Sequence, residues 1–304
     1  PITVAALYRF ASFYDPDSLH ASLEALCTAQ AIRGTLLLAK EGINGTIAGS
    51  HDGVAKVLDH ISTLHDCADI EVKFSTAEKM PFMRMKVRVK PEIVTMGQAA
   101  LDPANNAGTY VDPQDWNELI ADPDIIVIDT RNDYEVEVGQ FEGAIDPKTP
   151  TFSDFPEWFR AERERLMEAG GGNPPKVAMY CTGGIRCEKA SAYFKHKGFE
   201  NVYMVEGGII EYSRKAEELG LKRLVPRTAT LQLRTGEKVK YESLYAKIVP
   251  AEYTQSRHLS CLIWTSELSC SPMHKSLSCL FSVLCPSFDV ARSLLNYQDI
   301  SINT

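Results

Sequence analysis

Along its first hundred residues the chain switches between two hydrophobic rhythms, one of period two and one near 3.6. Ile2 to Phe10 is an apolar, β-rich run. Asp15 to Gln30 brings Leu19, Leu23 and Leu26 to helical spacing. Its Asp-Pro-Asp start offers a cap and a proline for the first turn. The apolar run GTLLLA, Gly34 to Ala39, predicts a strand, and EGINGTIAG after it predicts a turn leading into a second short strand. Helical spacing returns over His51 to Leu64, and strands are predicted over Ile70 to Phe74 and Met83 to Val89. The order β-α-β-β-α-β is that of a ferredoxin-like α+β sandwich, expected over residues 1–95. Residues 96–108, rich in Ala, Asn, Gly and Pro, predict a linker.

A second pattern begins at residue 109. Asp112-Pro113 precedes WNELIA, an acidic cap with proline at the first helical position. Three short, wholly apolar runs follow: Ile125 to Ile128, Val177 to Tyr180 and Val202 to Val205. Runs of this kind belong in a parallel sheet covered on both faces. Helical stretches at Phe155 to Ala169, Ile185 to Lys197 and Ile209 to Leu219 separate or follow them, so residues 109–222 predict an α/β domain around a central parallel sheet. Residues 223–304 change character to a Ser- and Cys-rich tail with weak periodicity, and no fold is assigned to it.

Composition narrows the class. At 304 residues and ~150 per domain, two domains are expected. A hydrophobic fraction of 44% with 24% charged residues is that of an ordinary globular protein. The net charge of -8 argues against wholesale polyanion binding but leaves room for a local basic face. No uncharged apolar run reaches the ~18 residues that a membrane span needs. The first residues lack a basic n-region and are interrupted by Arg9, so no signal peptide is expected and a cytoplasmic setting is the default. In such a setting the eight cysteines are to be judged as catalytic, metal-binding or inert before disulfides are considered.

The strongest local signal is VAMYCTGGIRCEKASAYF. A buried strand delivers Cys181 to a loop of Thr182, Gly183, Gly184 and Ile185 that opens into a helix. In open α/β sheets the reactive crevice lies at the carboxyl ends of the strands. The two glycines allow backbone N–H groups to converge on the sulfur. A helix N-terminus adds roughly half a positive charge, and Arg186 adds a full one. Together they predict a nucleophilic thiolate at Cys181.

Here the sequence resembles the rhodanese family, whose active loop has the form C-x4-R. IDTRNDYE (Ile128 to Glu135), FEGAID (Phe141 to Asp146) and VEGGI (Val205 to Ile209) are similar to further elements of that family. Related phosphatases carry one more residue between Cys and Arg, so four residues favour a smaller group such as a persulfide sulfur. The longer motifs ALYRF, IRGTLLLAKEGINGTIAG, MRMKVRVKPEIVTMG, GTYVDPQDWNELI, VIDTRNDYEVEVGQFEGAIDPKT and CTGGIRCEKAS together resemble the rhodanese-domain tRNA uridine hydroxylases, formerly an uncharacterised rhodanese-related family. The resemblance covers about residues 2–215. It implies a rhodanese-like fold for the second domain and oxygen-dependent 5-hydroxylation of wobble uridine in tRNA. It also implies an essential loop cysteine and molecular oxygen as co-substrate. No cofactor or metal signature is visible in the residues themselves, and none is expected.

Several residues carry two readings. Lys79, Arg84, Lys86, Arg88 and Lys90 lie in an acid-free stretch, and the last four alternate with Met85, Val87 and Val89. They form either a phosphate track for RNA or a solvated edge strand guarded by cations. EGINGT either offers amides to a phosphate or makes a tight hairpin. Asp129 and Arg131 either orient the loop and contact substrate or form a structural pair. Cys187 either resolves an oxidised or persulfidated Cys181 or simply packs at the helix start. Cys27 and Cys67 read as inert. In the tail, His258, His274, Cys261, Cys270, Cys279 and Cys285 show no C-x2-C pairing, so no zinc site is expected.

Three functions follow from these residues and this resemblance: wobble-uridine hydroxylation, sulfur transfer through Cys181, and a catalytically idle binding module. The intact Cys181 and Arg186 argue against the last. Which tRNAs are chosen and what oligomer forms are not legible.

Overall fold

The computed structural model describes residues 1–136 and 139–219, together with the backbone of two short strands at 228–232 and 238–242. The chain divides into two compact units, and the division falls between Thr95 and Met96.

The first unit contains β1 (Ile2–Phe10), α1 (Pro16–Ala29), β2 (Arg33–Ala39), β3 (Gly42–Gly49), α2 (His51–Ser62), β4 (Glu71–Ala77) and β5 (Met85–Val89). The sheet order is β4-β1-β3-β2-β5. Strand β3 lies antiparallel between β1 and β2, β4 is antiparallel to β1, and β5 is parallel to β2. The first four strands and two helices form the split βαβ sandwich, and β5 adds a fifth strand at the β2 edge. Local chemistry explains the helix starts. The Asp15 carboxylate accepts from the Ser18 amide, with Pro16 opening the helix, and the Ser50 hydroxyl accepts from the Gly53 amide. The core forms where the apolar stripes of both helices (Leu23, Cys27, Val54, Val57, Ile61) meet Ala5, Leu7, Leu36, Leu38, Ile43 and Ile47 of the sheet.

EGINGT is a hairpin here. Lys40 and Glu41 join β2 to β3, and Gly42 has φ +135 with no room for a Cβ, which would lie 2.0 Å from the Arg9 carbonyl oxygen. Its polar side chains are directed to the chain itself. Glu41 Oε1 accepts from the Ile93 amide at 2.7 Å, and Asn44 Nδ2 donates to the Ile93 carbonyl at 2.8 Å.

The second unit contains α3 (Pro103–Asn106), β6 (Thr109–Val111), α4 (Pro113–Ala121), β7 (Ile125–Asp129), α5 (Asp133–Val136), α6 (Phe155–Ala169), β8 (Lys176–Tyr180), α7 (Ile185–His196), β9 (Val202–Val205) and α8 (Gly208–Glu218). Its sheet has the order β6-β9-β8-β7 with every pairing parallel. Ile145, from FEGAID, extends the sheet by a parallel bridge to Ile128. The segment read as a linker carries α3 and is tied to α7. The Gly108 amide donates to Ser191 Oγ at 2.8 Å, and Lys195 Nζ donates to the Ala107 carbonyl at 3.0 Å.

One aromatic layer, Phe155, Phe159, Tyr193, Phe194 and Phe199, packs α6 against α7. A second, Trp116, Phe141, Tyr180 and Tyr212, fills the space among α4, α8 and β8. Burial of this much aromatic surface anchors β8 from its neighbours, and Cys181 is the first residue beyond that strand. The start of the tail forms a two-stranded antiparallel ladder, β10 (Thr228–Gln232) with β11 (Lys238–Glu242). The six His and Cys residues considered for zinc lie outside the described residues.

Candidate active site

The carboxyl ends of three adjacent parallel strands build the site. Strand β8 ends at Tyr180 and hands Cys181 to the loop. The turn after β7 supplies Asp129, Arg131 and Glu135. The Gly207-Gly208 turn after β9 closes from the other side, where the Ile209 amide donates to the Cys181 carbonyl at 2.8 Å. A Cβ on Gly208 would lie 2.4 Å from the Thr182 carbonyl oxygen, so this turn requires glycine for the close approach as well as for its φ of +73.

Within the loop, Gly184 has φ +112 and its amide donates to Cys181 Sγ at 3.0 Å. The Cys187 thiol and amide, in the first turn of α7, favour the Cys181 anion as nearby donors, and that amide donates to the Gly184 carbonyl at 3.0 Å. Cys181 is wholly shielded from solvent. Burial alone would push its pKa up, but the Cys187 thiol, the Arg186 charge and the two amides outweigh it and bring it down to about 5. Cys187 is driven the opposite way, well above the usual thiol range, by burial and by the neighbouring Cys181 sulfur. The pair therefore holds one proton near neutral pH, and Cys187 carries it. Thr130 Oγ1 lies 3.5 Å from Cys187 Sγ and donates to the Tyr180 carbonyl at 3.1 Å, which fixes the hydroxyl beside the thiol.

Arg186 acts on Cys181 through its charge. Its terminal nitrogens form a fork on the Glu135 carboxylate, Nη1 to Oε2 at 2.5 Å and Nη2 to Oε1 at 2.7 Å. Nη2 also donates to Thr182 Oγ1 at 3.1 Å, and the Thr182 hydroxyl donates to Glu135 in turn. All three side chains are buried. The bidentate geometry is the strong form of the carboxylate–guanidinium contact. Burial opposes ionisation of Glu135, but Arg186 and then Arg131 overcome it, leaving the carboxyl below its ordinary range.

Asp129 and Arg131 are completely buried and paired with each other, Nε to Oδ1 at 2.8 Å and Nη2 to Oδ2 at 2.6 Å. Arg131 also donates to the carbonyls of Glu135 and Gly139 and lies over the Tyr180 ring at 5.4 Å. This pair closes the end of β7 and presents Glu135 to the loop, which is a structural role. Sequence reasoning included Glu135 within IDTRNDYE but gave it no task. The missed signal was a carboxylate six residues past the end of β7, which becomes informative only once a buried arginine needs a counterion.

Structure therefore brings Cys181, Thr182, Gly183, Gly184, Ile185, Arg186 and Cys187 into one buried loop and helix start, with Asp129 and Arg131 behind it. The cations considered for RNA lie in the other unit. On β5, Val87 is buried and Met85 and Val89 pack against the core, while Lys86 and Arg88 alternate with them and are part exposed. Lys79, Arg84 and Lys90 are exposed. Among the described residues none of the five makes an ion pair. Partial burial and then repulsion by Arg88 and Arg84 lower the Lys86 pKa, so these charges are close enough to destabilise one another.

Residues 2–93 match the family described as UPF0176 acylphosphatase like domain, and residues 112–215 match the rhodanese-like domain family. The chain is 58% identical over 210 residues to a protein of Caulobacter vibrioides named tRNA uridine(34) hydroxylase, covering 69% of this chain and 66% of that one. It is 54% identical over 218 residues to a Gluconobacter oxydans protein of the same name, covering 72% and 69%. A Mesorhizobium japonicum protein, also so named, is 57% identical over 212 residues, covering 70% and 67%. The match thus spans about two thirds of the length of these relatives.

Proposed function

Because this chain belongs to the tRNA uridine(34) hydroxylase family, we propose that it hydroxylates C5 of the wobble uridine of tRNA, with dioxygen as co-substrate and Cys181 as the essential thiol. The observation that carries the reading on the protein side is the Cys181 cradle. A completely buried sulfur is held as its anion by the Gly184 amide, the Cys187 thiol and the Arg186 charge. A nucleophile stabilised by preorganised donors needs no reorganisation at the moment of reaction. The row of unpaired cations on and beside β5, Arg84, Lys86, Arg88 and Lys90, supports phosphate binding by the N-terminal unit on an otherwise acidic chain, with Lys79 nearby. A tRNA substrate supports a cytoplasmic setting.

Deletion of the gene, followed by mass spectrometry of tRNA nucleosides, tests this. The 5-hydroxyuridine derivatives should disappear, return with the wild-type gene and stay absent with Cys181→Ala. Persistence of the modification in the deletion, with no paralogue present, would refute the activity. Arg84→Glu with Lys86→Glu should weaken tRNA binding about tenfold or more and reduce the salt slope by about 1.4 to 1.8. Unchanged affinity removes β5 from the interface.

The four-residue spacing between Cys181 and Arg186 favours one second reading, sulfur transfer through a Cys181 persulfide. Robust thiosulfate:cyanide turnover by the purified protein, lost in Cys181→Ala, would promote it over hydroxylation.

A further inference from the structure

We infer that Cys187 is a second redox residue, which with Cys181 forms the dithiol that supplies the two electrons consumed in uridine hydroxylation. The inference rests on the hydroxylation reading above.

The reaction has an electron requirement that the uridine itself does not meet. Replacing C5–H by C5–OH with dioxygen uses one oxygen atom, and the other must leave as water, which takes two electrons. A thiolate–thiol pair that closes to a disulfide releases two. The overall step balances as uridine C5–H plus dioxygen plus the Cys181 thiolate, the Cys187 thiol and one solvent proton, giving C5–OH, water and the Cys181–Cys187 disulfide. The O–O and C5–H bonds break, and C5–O and S–S bonds form. Dioxygen is reduced, and the uridine carbon and both sulfurs are oxidised.

The molecule is arranged for this. Cys181 and Cys187 are both completely buried, and Gly184 ties them to one loop, its amide donating to Cys181 Sγ at 3.0 Å and its carbonyl accepting from the Cys187 amide at 3.0 Å. A disulfide needs the sulfurs at about 2.05 Å, and the Gly183-Gly184 stretch gives the intervening loop the backbone freedom to let them close. Thr130 Oγ1 lies 3.5 Å from the Cys187 sulfur. The division of labour is also that of efficient thiol chemistry, with one sulfur kept as an anion and its neighbour kept protonated. A packing role for Cys187 would need only a small apolar side chain, with no approach to the reactive sulfur. The disulfide so formed must be reduced by an external thiol before the next turnover.

The test uses the full chain, reduced and then freed of reductant, mixed with unmodified tRNA in aerated buffer. Without added thiol, product should stop near one 5-hydroxyuridine per chain, with two thiols lost and a peptide linking Cys181 to Cys187 in the digest. Added dithiothreitol should restore repeated turnover. Cys187→Ser should give less than about a tenth of the wild-type product in the thiol-free reaction, while still binding tRNA. Wild-type product formed with both thiols still free would overturn the inference, as would Cys187→Ser matching wild type. Should Cys187→Ser fail to fold, the wild-type thiol count decides alone. A wild type that makes no 5-hydroxyuridine with or without dithiothreitol overturns the hydroxylation reading and this inference with it. Hydroxylation without disulfide overturns this inference alone.

Discussion

Cys27 and Cys67 of the N-terminal domain and Cys181 of the rhodanese domain are equally hidden from solvent, yet their thiols are displaced in opposite directions. Burial pushes both N-terminal thiols up to about 11, with carboxylates nearby adding to the rise and Arg9 easing it at Cys67. The same burial acts on Cys181 and is overcome, down to about 5, by two amides, a thiol and a guanidinium. What separates them is where the chain places donors. Cys27 sits on the apolar face of α1, where helix amides are already engaged, so its sulfur meets hydrocarbon. Cys181 lies beyond a strand end, where the loop and the first turn of α7 still have amides to offer. A buried cysteine is inert or reactive according to the unsatisfied donors around it.

Glu135 is the residue on which the Cys181 loop depends most. Glu135→Gln leaves Arg186 buried beside a neutral amide, and removal of one partner of such a pair costs about 3–5 kcal/mol. Urea denaturation should show that loss in the rhodanese domain, together with loss of hydroxylation. A change below about 1 kcal/mol would mean that the fork does not hold the loop.

Alkylation as a function of pH sharpens the contrast. Cys181 is already a thiolate above pH 5, so its rate with iodoacetamide should change less than about twofold between pH 7 and 9. Labelling of Cys27 and Cys67 should rise about tenfold per pH unit over that range, because their anions are still the minor form. Stability follows the same signs. The Cys181 contribution is complete above the ordinary thiol pKa of 9 and is lost as pH falls toward 5, whereas that of Cys27 and Cys67 is complete below 9 and is lost as pH rises through 11. Identical pH profiles for all three would erase the distinction.

The smallest effect belongs to Cys27→Ala. It removes one sulfur from a packed core, at about 1 kcal/mol measured by urea denaturation, and leaves hydroxylation unchanged. Loss of activity there would show that the N-terminal thiol is more than packing.

Much of this was legible in the linear pattern because the causes are local. Asp15-Pro16 and Asp112-Pro113 announce their helices within four residues, since a cap and its first turn are neighbours in sequence. The alternation of Lys86 and Arg88 with Val87 and Val89 is a property of any strand, and β5 shows it. The spacing from Cys181 to Arg186 likewise places an anion, two glycines and a cation at one helix start. Residues whose meaning depends on distant partners were harder to read. EGINGT was equally a phosphate loop or a hairpin until Glu41 and Asn44 were found tied to Ile93, 52 and 49 residues away. Asp129 and Arg131 carried both a functional and a structural reading, the structural one favoured for Asp129, until their mutual pairing and complete burial appeared.

The two-domain order, the parallel sheet and the identity of the reactive loop are written in the linear pattern, because periodicity, caps and loop length are short-range consequences of backbone geometry. How the loop's charge is arranged depends on contacts made across the fold. Arg186 is neutralised by Glu135, 51 residues earlier in the chain, and the Cys187 thiol does more than the guanidinium to lower the Cys181 pKa. An unpaired charge cannot remain buried at acceptable cost, so the fold must bring a counterion to Arg186. Which carboxylate arrives is settled by packing across the sheet, and no local pattern records it.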